Sequence, residues 1–549
     1  MWQSLQKINK SFPNVIPILL YVFILIWFLF PMTHEGIPNT HDGTNQVIRF
    51  ASYINAFYDG HFPPRWAGEL NYSYGIPVLN FFYPLPGYIA AVLSVTNLSL
   101  EAIFKIISAF AFVLSPVGVY LTISLFRSKS IAFLSGLLYS LAPYQLLNLY
   151  VRGDIGETIS LSILPFVLFF CLKGLQIKNI RFTALGGFLS ALVILAHHGI
   201  GLMAAPLILT ILIYFLIIKP TLLRYVGVFV LLWFGISGFF WIPALLEQKY
   251  TLASFFIGRM YQEHFLSFPK VIISEWRFGP DVNLPGGQSP QIGLLSFVLF
   301  CISLLMTYRK KITMIPFIFL MFSLLSLFLT LPISSNIWSH IEILQKYQFP
   351  WRFLALTTLT ISVCVGFFFP FKNKVIIGCI SLLLIANTIL YTKTNGYSHQ
   401  DNSWYKNFPS TTFFHGEALT VWSEGEASSY PAHPIEVIGG SAVISGIYKK
   451  TQKLEAIIDA KTPSNIKVNT LFYPGWKVYI DETPVAIQFQ DSNNRGLITF
   501  SIPEGRHKLR VVFTETKLRL FSDIITIASL LLLIGILYKP NMLHYFHHE

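Results

Sequence analysis

Ionisable side chains are almost missing from the long apolar runs of this sequence, where Lys105, Arg352 and Asp523 stand only at the edges. Ion-coupled pumps and carriers keep charges near the bilayer midplane to bind the driving ion, so the scarcity argues against that class. Acidic residues are just as scarce in the short basic loops until Glu549, and no glycine-rich phosphate loop occurs. No nucleotide site is legible there. Cysteine is limited to Cys171, Cys301, Cys364 and Cys379, each inside an apolar run, where a thiol packs as a small hydrophobe. Without a CxxC pair, a disulfide framework or zinc spacing, cysteine chemistry is set aside.

What is present is grease and aromatic rings: 54% of the 549 residues are hydrophobic and only 12% charged, with apolar runs at 15–30 and 225–246. That composition defines a polytopic membrane protein. Lys7 and Lys10 flank the first run as in a secretory signal, but Phe28-Leu29-Phe30-Pro31-Met32 offers no small-residue cleavage site, so the run reads as a retained anchor. The formal charge of +13 would suggest nucleic acid in a soluble protein. Here the basic residues sit in short loops between spans, so they report topology, and no nucleic-acid partner is expected.

Basic loops at 127–129, 173–181, 219–224, 309–311 and 371–374, with Lys539 and the amino terminus, are expected to face the cytoplasm. Segments 150–158, 197–199, 247–291, 332–351 and 392–517 then face outward. Residues 76–95 are apolar enough to cross, but counting them would invert every later loop; Pro77, Pro84 and Pro86 also interrupt a spanning helix. They are expected to lie along the outer leaflet, which leaves about twelve spans at about 20 residues per crossing.

Residues 392–517 have a different texture. Alternation replaces the apolar runs at Trp476, Val478 and Ile480, at Ile498, Phe500 and Ile502, and at Leu509, Val511 and Phe513, with Tyr473-Pro474-Gly475 and Pro503-Glu504-Gly505 as turns. The expected organisation is mainly α: a polytopic transmembrane domain over 1–391, a small external β-sandwich over 392–517, and a final span and tail over 518–549.

The outward segments hold the chemistry. The first carries Thr40-His41-Asp42-Gly43 and Arg65 within a mixture suited to sugars and phosphates. Asp42 can accept a proton from an incoming hydroxyl, or it can simply cap the helix that begins near Thr44. In the second, Arg152 suits a lipid phosphate, and Asp154 with Glu157 suits a hard divalent cation; a tight turn with a helix-start acid pair explains the same residues. His197 and His198 end one span, and adjacent positions on a helix point apart, so joint metal ligation is not expected. Glu247 is an interfacial acid open to pairing or substrate. Arg352, within Gln348-Phe349-Pro350-Trp351-Arg352-Phe353, can clamp a carrier phosphate or snorkel at an aromatic belt. His544, His547 and His548 are given no role.

Several of these passages, in this order, resemble one family. Thr40-His41-Asp42-Gly43 with Pro64-Arg65-Trp66, Tyr74-Gly75-Ile76-Pro77 leading into Phe81-Phe82-Tyr83-Pro84-Leu85-Pro86, Arg152-Gly153, and Phe349-Pro350-Trp351-Arg352-Phe353 resemble the bacterial and archaeal membrane proteins labelled "6-pyruvoyl-tetrahydropterin synthase-related". Phe472-Tyr473-Pro474-Gly475-Trp476 and Pro503-Glu504-Gly505-Arg506-His507 are similar to the external domain of the more distant YfhO-like proteins. The pterin label carries no chemistry, since neither a histidine zinc site nor a compact α/β fold can be read.

The resemblance implies a GT-C type glycosyltransferase, which transfers sugar from a polyprenyl-linked donor to an acceptor outside the membrane and takes its catalytic Asp from the first outer loop. The matching position is Asp42. His41, Arg65, Arg152, Asp154, Glu157, His197, Glu247 and Arg352 are the candidate substrate contacts, with a glycan, lipid or protein as acceptor. Asp42 has no second acid at the spacing of an Asp-x-Asp site, so use of a divalent cation stays open. The rival readings are a lipid or polysaccharide exporter and a scaffold for an envelope complex.

Overall fold

The computed structural model describes residues 15–253, 260–306, 312–412 and 416–538. Expectations resting on Lys7, Lys10, Arg309, Lys311, Lys539, His544, His547, His548 and Glu549 lie outside the described residues.

Seven helices among the described residues are long and apolar enough to cross a bilayer, and two bent pairs, Pro220–Ile236 with Gly238–Leu246 and Met314–Leu329 with Pro332–His340, raise the number to nine. The expected twelve is reached only if the shorter apolar helices Val15–Phe28, Ile180–Ala196 and Leu294–Leu305 also cross. Residues 76–95 break into Val78–Phe81 and Leu85–Ser94. Ten residues rise about 15 Å, half a hydrocarbon core, so that segment does not span.

The helices sort by what surrounds them. Every residue of Leu354–Phe368 is buried, which places this helix inside the bundle. Lys374–Thr388 instead exposes Val375, Leu382 and Leu383, an apolar surface suited to lipid. Pro165 inside Ile155–Ile177 leaves the Leu161 carbonyl without its helical donor, and the Tyr139 hydroxyl on a neighbouring helix donates to that carbonyl at 2.7 Å. The chain tolerates the proline because its neighbour supplies the donor.

At one end of the bundle the amphipathic helix Gly43–Tyr58 buries Val47, Ile48, Phe50, Ala51 and Ile54. Beside it stand two antiparallel sheets. The larger orders Ala442–Lys450, Lys453–Ala460, Gly505–Phe513, Trp476–Ile480 and Thr483–Val485; the smaller orders Ile435–Gly439, Ser464–Leu471 and Leu497–Ile502. All nine alternating residues read from the sequence are buried, so the period-two pattern marks the inner faces. The strands of these two sheets occupy Ile435–Phe513, while among the described residues of 392–434 stand the strand Tyr397–Ser398 and the short helix Asn402–Lys406.

The β region shares its core with the segment after Gly43–Tyr58. Trp66 meets Trp476 at 5.5 Å and Phe513 at 5.7 Å between ring centroids, and Leu70, Ile76 and Leu79 belong to the same apolar cluster. Tyr397–Ser398 also pairs with Ile37–Pro38. The loop after Pro38 is therefore held from both sides.

Candidate functional site

Residues 39–43 are fixed by backbone contacts to the loop after the helix pair that ends at Arg152. His41 N–H donates to the Val151 carbonyl at 3.0 Å and Asp42 N–H to the Arg152 carbonyl at 2.7 Å. Asp42 occupies the position before Gly43–Tyr58, yet its carboxylate makes no capping bond; the Thr40 hydroxyl accepts from Gly43 N–H at 3.1 Å instead. The capping alternative thus fails for Asp42. It holds for Asp154, whose Oδ1 accepts from Glu157 N–H at 3.0 Å. Gly153 joins the two loops at φ +67°, where a Cβ would stand 2.2 Å from Thr40 Oγ1 and 2.8 Å from Gly43 N.

A π-turn over Asn148–Arg152 aims Arg152 inward, and the αL Gly153 ends it. Arg152 Nη1 donates to Glu157 Oε2 at 2.6 Å and Nη2 to Asp154 Oδ2 at 3.0 Å, while its guanidinium lies 4.9 Å from the Trp351 ring centroid. The remaining carboxylate oxygens are also bonded: Glu157 Oε1 by Tyr144 at 2.6 Å and Asn148 at 3.3 Å, and Asp154 Oδ1 by Tyr83 at 3.1 Å. All three charged groups are buried. Burial on this scale demands partners, and all four carboxylate oxygens have one, although a single guanidinium serves both acids.

His197 faces the same cluster, with Nε2 3.6 Å from Asp154 Oδ2. Its Nδ1 accepts from Ile200 N–H at 3.1 Å, which leaves Nε2 to carry the ring proton toward the acid, and burial lowers its pKa. His198 stacks on His197 with ring centroids 5.8 Å apart but is exposed. Ligand atoms of Asp154, Glu157 and His197 lie within 4.8 Å of one another, as a metal would require. Arg152, however, already occupies one oxygen of each carboxylate, and a divalent cation would meet that guanidinium among its own ligands. The donor set as folded does not fit a metal ion.

The Asp42 carboxylate differs from its neighbours because no described residue hydrogen-bonds it, although it is only partly exposed. Burial raises its pKa above the usual carboxylate range, Asp154 adds to the rise, and Arg152, Arg49 and Arg352 oppose it. Asp154 moves the other way: burial pushes it up, but His197, Arg152 and Arg352 hold it well below the ordinary range. Two nearby carboxyls are thereby driven apart, the arrangement that separates a proton acceptor from a permanent anion.

Arg352 closes the site from the helix that follows it. Its Nη1 donates to the Tyr347 carbonyl at 3.1 Å and Gln348 Oε1 at 3.3 Å, and its guanidinium lies 4.8 Å from the Phe349 ring centroid. Its buried Nε has no partner among the described residues. Arg49 and Gln46 escaped the sequence reading. They fall seven and four positions after Asp42, respectively, so helical spacing was the available signal. Arg49 is held by Thr412 Oγ1 at 3.0 Å and lies 3.8 Å from the Phe82 ring centroid; Gln46 donates to Tyr83 at 3.0 Å, which in turn donates to Asp154.

His41 stays with Asp42, and its Nε2 is 2.7 Å from the Phe278 carbonyl. Arg65 and Glu247 are placed elsewhere. Arg65 pairs with Glu515 and Asp523 at 2.9 Å each, while Glu247 accepts from Arg519 Nε at 3.0 Å on both oxygens. Asn80 joins them, accepting from Arg65 at 3.2 Å and donating to Glu247 at 2.8 Å. The visible work of these two residues is to fasten the early loop, Gly238–Leu246 and the terminal helix Lys517–Tyr538 together.

Bundle, sheets and loop-end polar site define a multi-span membrane protein with an attached β region. Residues 79–395 match the family model described as "6-pyruvoyl-tetrahydropterin synthase related domain; membrane protein", and the chain belongs to that family. Among solved structures it is similar to the arabinofuranosyltransferase AftD from Mycobacteria, with 12% identity, a TM-score of 0.45, and coverage of 70% of this chain and 27% of that one. A mutant of the same protein gives 13% identity, a TM-score of 0.46, and coverage of 70% and 28%. The chain thus spans little more than a quarter of AftD. No curated protein matches the sequence.

Proposed function

We propose that the protein is an integral-membrane glycosyltransferase that moves a sugar from a polyprenyl-phosphate-linked donor to an acceptor hydroxyl at the extracytoplasmic face of the cytoplasmic membrane. One observation carries the reading: among the described residues nothing hydrogen-bonds the Asp42 carboxylate, while the oxygens of neighbouring Asp154 and Glu157 are all bonded. The order of the sequence motifs supports it.

In this reaction the acceptor oxygen attacks the anomeric carbon and gives its proton to Asp42. The bond from that carbon to the phosphate oxygen breaks, and its electron pair leaves with the polyprenyl phosphate. Arg352, whose Nε has no partner among the described residues, receives that phosphate; Arg152 is committed to its two acids and contributes positive field. Asp154 and Glu157 set Arg152 in place.

Deleting the gene and comparing polyprenyl-linked sugars and envelope glycans by mass spectrometry tests the proposal. The expected result is accumulation of a lipid-linked sugar and loss of one glycan, both reversed by the wild-type gene; unchanged profiles reject it. Gly153→Ala is expected to cut transfer about a hundredfold without loss of expression, because its Cβ would push Thr40 and the Asp42 loop away from Arg152. Activity within threefold of wild type in that variant would show that the loop has slack.

A further inference from the structure

A shallow, open cleft of about 640 Å³ lies between residues 275–286 and Asn395, lined in part by Glu275, Trp276, Arg277 and Phe278. Both walls are bonded to the loop that carries Asp42. On one side His41 Nε2 meets the Phe278 carbonyl at 2.7 Å; on the other Asn39 Nδ2 donates to the Asn395 carbonyl at 3.1 Å, and Asn39 N–H to the Gly396 carbonyl at 3.0 Å. Residues 39–41 tie the walls together, and Asp42 is the next residue in the chain. A molecule seated in the cleft lies against the segments that this loop holds together.

The lining specifies what that molecule is. Trp276 is fixed by its Nε1–H to the Lys393 carbonyl at 3.0 Å and by an edge contact to Tyr391 at 5.4 Å between centroids, so an aromatic surface is presented with little ordering left to occur. Arg277 Nε donates to Glu275 Oε2 at 3.0 Å, and both side chains are largely exposed, at 44% and 72%. Glu275 Oε1 and Arg277 Nη1 have no partner among the described residues, which leaves an acceptor and a donor side by side. Vicinal hydroxyls on a ring match that pair, and the C–H face of the ring matches the indole. An acyl chain would require continuous apolar walls, and a peptide bound by strand addition would require a free strand edge.

We infer that the acceptor is a saccharide, held in this cleft over Trp276 with its hydroxyls on Glu275 and Arg277, next to the loop that carries Asp42. The inference rests on the proposed transferase activity for its meaning, but binding is measured without turnover. Full-length protein in nanodiscs is titrated with a panel of short neutral oligosaccharides by saturation-transfer NMR and calorimetry. At least one is expected to bind wild-type protein, with about tenfold weaker affinity in Trp276→Ala and in the exposed, fold-neutral Glu275→Gln. Equal binding in Glu275→Gln and wild type, or binding of serine peptides or diacylglycerol and of no oligosaccharide, overturns the saccharide assignment even if Asp42-dependent transfer is present. Saccharide binding with no transfer from any lipid-linked donor overturns the transferase reading alone.

Discussion

Arg152→Met is expected to abolish recovery of folded protein, or to lower its thermal midpoint far more than any other single change at the site. Arg152, Asp154 and Glu157 are each no more than 3% exposed, and among the described residues the guanidinium is the only cation that hydrogen-bonds either acid. Removing one partner of a buried ion pair costs about 3–5 kcal/mol, because the remaining charge loses its partner and does not regain water. Here two carboxylates are left. Tyr83, Tyr144 and Asn148 still donate to them, but neutral donors do not cancel the mutual repulsion of two anions. The check is detergent-extracted yield and a thermal melt, with the triple variant Arg152→Met, Asp154→Asn, Glu157→Gln as the comparison. Removing all three charges should restore much of the midpoint, since the buried charge is what destabilises. A single variant that melts within about 2 °C of wild type would mean that the cluster is not closed as described. If Arg152→Met folds and binds donor normally, Arg152 has no part in phosphate binding either.

How far this site could be read in advance depends on the range of the contacts that make it. The sheets were legible because strand alternation is local: Trp476, Val478 and Ile480 announce an inner face by spacing alone. The interruption at residues 76–95 was legible because proline acts on its own backbone. Asp42 and the Arg152, Asp154 and Glu157 loop were found as separate short motifs. That His41 and Asp42 hydrogen-bond residues 151 and 152 is a tertiary fact that neither motif contains.

Arg65 and Glu247 show the limit most clearly. Each is a charged residue in the expected outward segments, as Asp42 is, and composition cannot tell a paired charge from an unpaired one. Their partners, Glu515, Asp523 and Arg519, lie more than 250 positions later in the chain. Arg49 was missed for the opposite reason: its relation to Asp42 is local, two helical turns on one face, but a lone arginine on an amphipathic helix is ordinarily solvated. The crossing count suffers from length criteria, because a bent pair such as Pro220–Ile236 with Gly238–Leu246 distributes one apolar run over two helices at 62°.

Asp42→Asn is expected to reduce sugar transfer by about 10²–10⁴-fold, the range general-base catalysis supplies, with donor binding little changed. Asn keeps the shape and removes the basicity, so the loss falls on the chemical step. The wild-type rate should also carry a signature in pH. Because burial and Asp154 raise the Asp42 pKa above that of a free aspartate, the acid limb of the rate lies at higher pH than an ordinary carboxylate would give, and activity is lost as pH falls through it. The same shift fixes the sign of the stability effect. A carboxyl with a raised folded-state pKa binds its proton more tightly when folded, so its ionised form costs stability at neutral pH, and the cost disappears as pH falls below the folded value. Asp42→Asn should therefore melt no lower than wild type at neutral pH while being nearly inactive, the reverse of Arg152→Met. Transfer assays and thermal melts on the two variants separate a catalytic group from a structural one. An Asp42→Asn protein that keeps more than a tenth of wild-type transfer would remove Asp42 from the reaction.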